Sequence, residues 1–240
     1  GMEYPVLRAE KNADAYILTS WMSADAEAQK FLAGEDSYRK PINPAYLGLE
    51  YPRDIFENVA QSANFLPRQG EGNVALKLFY GIAPNGSVPL NLTETGLLGI
   101  VDLPTAERFG LATAKIINAA GVAVAPTEEA ILAGFNEMKI LKNGTRVNNF
   151  ASTNEEAYPM VKVDYLMVPT SGIENDTNQS LQDFLNFAAG AGEKSLLPGY
   201  IALTDELIAQ AKSVVGTLKA NLIPDATTTT STTPPTTIPY

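Results

Sequence analysis

The sequence predicts an α/β protein with mixed or parallel sheets flanked by helices. Short β-branched and aromatic runs alternate with amphipathic helical patterns along the chain, and hydroxyl or acidic residues stand where several of those helices should begin. No internal repeat offers another architecture. At 240 residues, 45% hydrophobic and 18% charged, the chain suits one large domain or two small ones.

Taken in order, Tyr4 to Leu7 is extended, and a helix starting at Ala13 or Asp14 carries Tyr16, Ile17, Leu18, Trp21 and Met22. Residues 34 to 69, rich in Pro, Tyr, Asn and Arg, read as a long loop with a short helix near Asp54 to Asn58. Asn73 to Tyr80 is helical, Leu97 to Val101 a short buried strand, Thr105 to Phe109 a helical turn and Ala114 to Ile117 strand-like. Thr127 caps a helix to about Met138, with Glu128 and Glu129 in its first turn. Val161 to Val168 has the content of a buried strand. Leu181, Phe184, Leu185, Phe187 and Ala188 form the apolar face of a helix ended by Gly190 and Gly192, and a last helix, capped by Thr204, covers about 205 to 221.

The composition excludes much chemistry. With neither Cys nor His there is no disulfide, thiolate nucleophile, Ser-His-Asp triad or imidazole-based zinc site, and acid-base work would fall to carboxylates, Lys or Tyr. No paired-carboxylate motif stands out, so no enzyme, cofactor or metal is expected. A net charge of −10 opposes nucleic acid as a partner.

Several segments together resemble one family. Arg8 to Ser23 (RAEKNADAYILTSWMS), Gly70 to Ala75 (GEGNVA), Gly99-Ile100-Val101, Leu111 to Thr127 (LATAKIINAAGVAVAPT), Ala157 to Met160 (AYPM) and Leu196 to Glu206 (LLPGYIALTDE) look like motifs of the phosphate-binding proteins that feed bacterial ABC importers, in the same order and at compatible spacing. The 97 to 127 stretch is the most specific. The resemblance spans roughly residues 6 to 220 and implies a periplasmic-binding-protein-like domain. Residues 2–157 would be its second α/β lobe and residues 158–222 the segment returning to a first lobe that is incomplete here. Residues 223–240 form a Thr/Pro-rich stalk, since Thr227 to Tyr240 holds eight Thr, one Ser and three Pro.

In that family an oxyanion sits at a helix N-terminus beside an Arg. Arg8 matches the Arg and Glu10 an acidic residue that orients it. Lys11 stands where the family has an earlier Gly, Asn12 where it has Ser, Ala13 where it has the central Gly, and Asp14 where it has Thr. Asn12 can still donate a hydrogen bond. Asp14 cannot near neutral pH, and two like charges about 4 Å apart oppose each other by about 4 kcal/mol at an effective dielectric of 20. Three readings stay open: Asp14 caps its helix, the site takes a cationic or neutral solute, or it takes phosphate.

The expected function is an extracellular, bacterial cell-surface or wall-associated solute-binding-like module with an eroded anion site. Its partners would be a small anion or other solute and importer membrane subunits, with an anchor beyond the stalk; the alternative is a structural or adhesive surface domain. Gly1 before Met2 reads as a tag remnant, so a signal peptide is expected upstream in the natural protein. Self-association through an exposed apolar edge at Val161 to Val168 is a further expectation.

Overall fold

The structure, a computed structural model, describes residues 2–8, 10–32, 52–54, 66–68, 70–81, 95–169 and 172–218. Contacts divide the chain into two units, one of Gly1–Asp164 with Leu197–Tyr200, the other of Tyr165–Leu196 with Ile201–Tyr240.

The first unit opens as an α/β layer. Strand β1 (Met2–Arg8) leads through helices α1 (Ala13–Ala24) and α2 (Ala26–Leu32) to β2 (Leu66–Arg68), then α3 (Glu71–Tyr80), β3 (Thr95–Gly99) and α4 (Leu103–Arg108). The three strands are parallel in the order β2-β1-β3, with Val6 opposite both Leu66 and Gly99. Val74 and Leu78, one helical turn apart on α3, share a face. Val74 and Val6 are fully buried, with Leu78, Leu97 and Val101 packed around them. A β-carbon at Gly99 would lie 2.8 Å from a Leu78 methyl, so the missing side chain lets α3 lie close on β3.

The rest of this unit is built from short pieces: an antiparallel pair β4 (Ile116–Ile117) and β5 (Ala123–Val124), helix α5 (Glu128–Asn136), and a hairpin of β6 (Lys139–Ile140) with β7 (Arg146–Val147). Thr127 caps α5 as expected, its hydroxyl accepting the Ala130 N–H at 3.3 Å. Two-residue strands bury little, and side-chain amides do the joining. The Asn118 Nδ2 donates to the carbonyls of Asn154, Glu155 and Ala157 at 3.1–3.2 Å, while its Oδ1 accepts from the Ala120 and Val122 N–H groups at 3.1 Å. Gly134 lets α5 touch the 158–161 segment, since a β-carbon there would sit 2.2 Å from the Tyr158 carbonyl oxygen.

In the second unit α6 (Asn175–Ala188) packs against α7 (Asp205–Leu218), with a 3-10 turn at Ala191–Ser195 between them in sequence. The Thr204 hydroxyl accepts the Leu207 N–H at 3.4 Å, as the expected cap of α7.

The α/β reading holds, and α1 and α3 to α7 fall where the sequence places helices, while α2 was not expected. Three local expectations are corrected. Leu66–Arg68 is a strand inside the segment read as loop; three residues are too few to carry a period-2 signal. Of the short helix expected near Asp54 to Asn58, Asp54 is not helical and the rest lies outside the described residues. β3 starts two residues before the expected strand and is not buried throughout: its pleat turns Leu98 outward, 57% exposed. Val161 to Val168 forms no strand. The Asn148 side chain takes both the N–H and the C=O of Val161 (3.1 and 2.9 Å) where a ladder would begin. Tyr165, Leu166 and Met167 are exposed.

On α6 the expected face turns inward only in part: Leu181, Leu185 and Ala188 are half-buried. Asn178 and Gln182 are buried, whereas Phe184 and Phe187 are more than half exposed. The stalk, and the end of the last helix beyond Leu218, lie outside the described residues. Among those described, no helix is long and apolar enough to cross a membrane.

Candidate functional site

In an open parallel sheet, polar groups gather where the carboxyl ends of adjacent strands meet the helices that follow them. Arg8 is the last residue of β1. Its Nε donates to Glu10 Oε1 at 2.7 Å, and its Nη1 to Asp14 Oδ2 at 3.1 Å. Glu10 therefore orients Arg8, as expected. The same Glu10 oxygen accepts the Gly70 N–H at 3.0 Å, tying the end of β1 to the start of α3.

Asn12, not Asp14, caps α1. Its backbone is extended (φ −156°, ψ 158°) and its Oδ1 accepts the Ala15 N–H at 2.7 Å. Asp14 lies inside the first helical turn, where helical backbone rules out the cap role. The donor that Asn12 retains is also engaged: Nδ2 donates to the Glu10 carbonyl at 2.7 Å. Ala13 opens the helix and brings no polar side chain. All five residues singled out from the sequence thus meet at one place, with Asp14 as the central anion.

Asp14 is only 8% exposed, and its second oxygen faces a residue that the sequence reading passed over. Lys162 Nζ stands 3.5 Å from Asp14 Oδ1, 3.7 Å from Asp102 Oδ2 and 4.0 Å from Asp164 Oδ1. Asp102 caps α4, accepting the Thr105 N–H at 2.9 Å, and its own N–H donates to Glu71 Oε1 on the first turn of α3. Each of the three helices that start at this edge carries a carboxylate: Asp14 for α1, Glu71 for α3 and Asp102 for α4. Acids at these positions satisfy the positive ends of the helices from within.

Two cations meet five carboxylates here, and their titration reflects it. Burial alone would lower the Lys162 ammonium, but the charges of Asp14, Asp164, Asp102 and Glu71 hold it above its ordinary value. Arg8 is likewise raised: burial opposes its charge, and the bonds and charges of Glu10 and Asp14 outweigh it. Burial pushes against ionised Glu10 too, yet Arg8 and backbone N–H groups bring its carboxyl below the usual range. Glu71 goes the other way, raised by burial first and then by the negative charges of Asp102 and Asp14.

A phosphate placed on Arg8 would have to displace Asp14 and sit among Glu10, Asp102 and Glu71. Among the described residues no group of three or more acidic side chains could hold a metal ion. A second concavity is lined by Asn118, Gly134, Glu137, Asn148, Ser152 and Tyr158, and in its wall the Ser152 hydroxyl donates to Glu137 Oε2 at 2.9 Å. Burial raises the Tyr158 hydroxyl in that wall.

Lys162, Glu71 and Asp102 left signals in the sequence. Asp102 directly follows the strand-like Leu97 to Val101 run, and Glu71 stands two residues before the helix expected from Asn73. Lys162 and Asp164 are the polar positions of an otherwise apolar VKVDYLMV stretch. Read together, those positions point at one sheet edge. No protein-family model and no curated protein matches the chain.

Proposed function

We propose that the chain is an extracellular, cell-surface solute-binding-like module of the phosphate-binding-protein type, with a periplasmic-binding-protein-like architecture and an anion site that no longer serves phosphate. The parallel β2-β1-β3 sheet, with Arg8 at the end of its central strand beside the start of α1, supports the architecture. One observation carries the functional half of the reading. The carboxylate of Asp14 occupies Arg8 where the resemblance would put the oxyanion.

Isothermal titration tests it. No phosphate binding at micromolar levels is expected for the natural chain, and a gain is expected for the Ala13→Gly, Asp14→Thr double variant, which restores a hydroxyl donor and removes one charge. Micromolar phosphate binding by the natural chain would overturn the reading. The exposed Tyr165, Leu166 and Met167 favour a second reading, an adhesive or structural surface domain that associates through this segment. A concentration-dependent dimer in sedimentation, lost on Leu166→Lys and Met167→Lys, would support it.

A further inference from the structure

We infer that Arg8 and Lys162 form a seat for a small monocarboxylate, with the side chain of Asp14 as its tethered resident. The cations come from segments more than 150 positions apart, and they take opposite oxygens of one carboxylate that is 92% removed from solvent. Each cation has other anchors: Arg8 is held by Glu10, and Lys162 faces Asp102 and Asp164. The walls of the seat therefore persist when the Asp14 side chain is cut back, which makes the seat preorganised rather than created by its occupant.

The surroundings select the charge of the occupant. Asp102 and Glu71 stand close by, so a second negative charge is opposed in proportion to the first, and a planar monoanion with two oxygens fits better than a dianion. This assignment rests on the geometry of three side chains and stands apart from the family resemblance.

Chemical rescue tests it. Asp14→Gly should melt at a lower temperature than the natural chain, and sodium formate should raise that melting temperature saturably. Half-effect is expected at about 10–100 mM, the scale on which a free ion replaces a tethered one. Acetate should follow formate, while sodium chloride at matched ionic strength should do markedly less. The natural chain, its seat already filled, should respond to formate no more than to chloride. Adding Lys162→Met to Asp14→Gly should remove the formate-specific part. If Asp14→Gly does not fold, Asp14→Ala is titrated in the same way, and the refolding yield of Asp14→Gly in formate against chloride gives the same comparison. Equal responses of the variants to formate and chloride, or a formate response unchanged by Lys162→Met, overturn the seat. Failed rescue sinks the seat and leaves the functional reading above standing, whereas formate rescue of the variants together with phosphate binding by the natural chain keeps the seat and sinks that reading.

Discussion

Two regions of the first unit join distant stretches of chain through polar side chains, and they do so by opposite chemistry. Around Asn118 and Asn148 the links are neutral amides bonded to backbone, with Gly134 giving the space for close approach. Around Asp14 the links are ions bonded to ions, at the ends of strands and the starts of helices. An amide has a fixed complement of donors and acceptors and is irreplaceable by shape. A charge cluster responds to pH, salt and added ions, so it is the region where chemistry can be changed without dismantling the fold.

The largest effect should come from the amide-held region. Gly134→Ala places a methyl 2.2 Å from a backbone oxygen that has no flexible end to move, with a Val161 methyl at 2.8 Å. A loss of about 3 kcal/mol is expected, read as a lower urea midpoint. Asn118→Ala should follow closely at about 2–3 kcal/mol, because three carbonyls and two N–H groups lose one shared partner. Neither loss should change between pH 5 and 8. A pH-dependent loss would show that the two regions are coupled.

Asp14→Asn should cost less, about 1–2 kcal/mol, although it removes the central anion. The amide keeps a similar shape and Arg8 and Lys162 keep their outer partners, so neither cation is stranded. The loss should shrink in 0.5 M salt, and no such change is expected for Asn118→Ala. An equal salt response in both variants would erase the distinction between the regions.

The difference between the regions also accounts for what could be read from the sequence. The helices and the central strand were legible because periodicity and caps are local: Thr127, Thr204 and the Val74, Leu78 spacing each act within one turn. Arg8, Glu10, Asn12, Ala13 and Asp14 were picked out as a group by the family resemblance, whose motif lies within seven positions. The role of Asp14 was not, since choosing between cap and internal anion needs the backbone angles of Asn12 and the arrival of Lys162 from far along the chain. Val161 misled through composition: a β-branched run predicts a strand, but a side chain from Asn148 takes the first pair of backbone bonds. The face of α6 was legible in part: Leu181, Leu185 and Ala188 are half-buried, but an apolar stripe cannot supply the surface that would cover Phe184 and Phe187.

The smallest effect is the most informative about the charged edge. Glu71 has its carboxyl raised, so the folded chain holds that proton more readily than the unfolded one. Its contribution to stability is full below the ordinary value of 4.5 and is lost as pH rises through the raised value. At pH 7 an ionised Glu71 is a burden beside Asp102 and Asp14. Glu71→Gln keeps an oxygen to accept the Asp102 N–H and removes the charge, so it should raise the urea midpoint slightly at pH 7 and lose that advantage as pH falls toward 4. Glu10→Gln should show the opposite sign. Its carboxyl is lowered by Arg8 and backbone donors against the pull of burial, so ionised Glu10 supports the fold above 4.5 and that support fades as pH falls through the lowered value. At pH 7 the Glu10 variant should denature earlier than the natural chain, and the gap should narrow in acid. If both variants shift stability in the same direction at pH 7, the two carboxylates do not divide into one held by the cations and one crowded by its neighbours, and the charged edge would lack the internal order that sets it apart from the amide-held region.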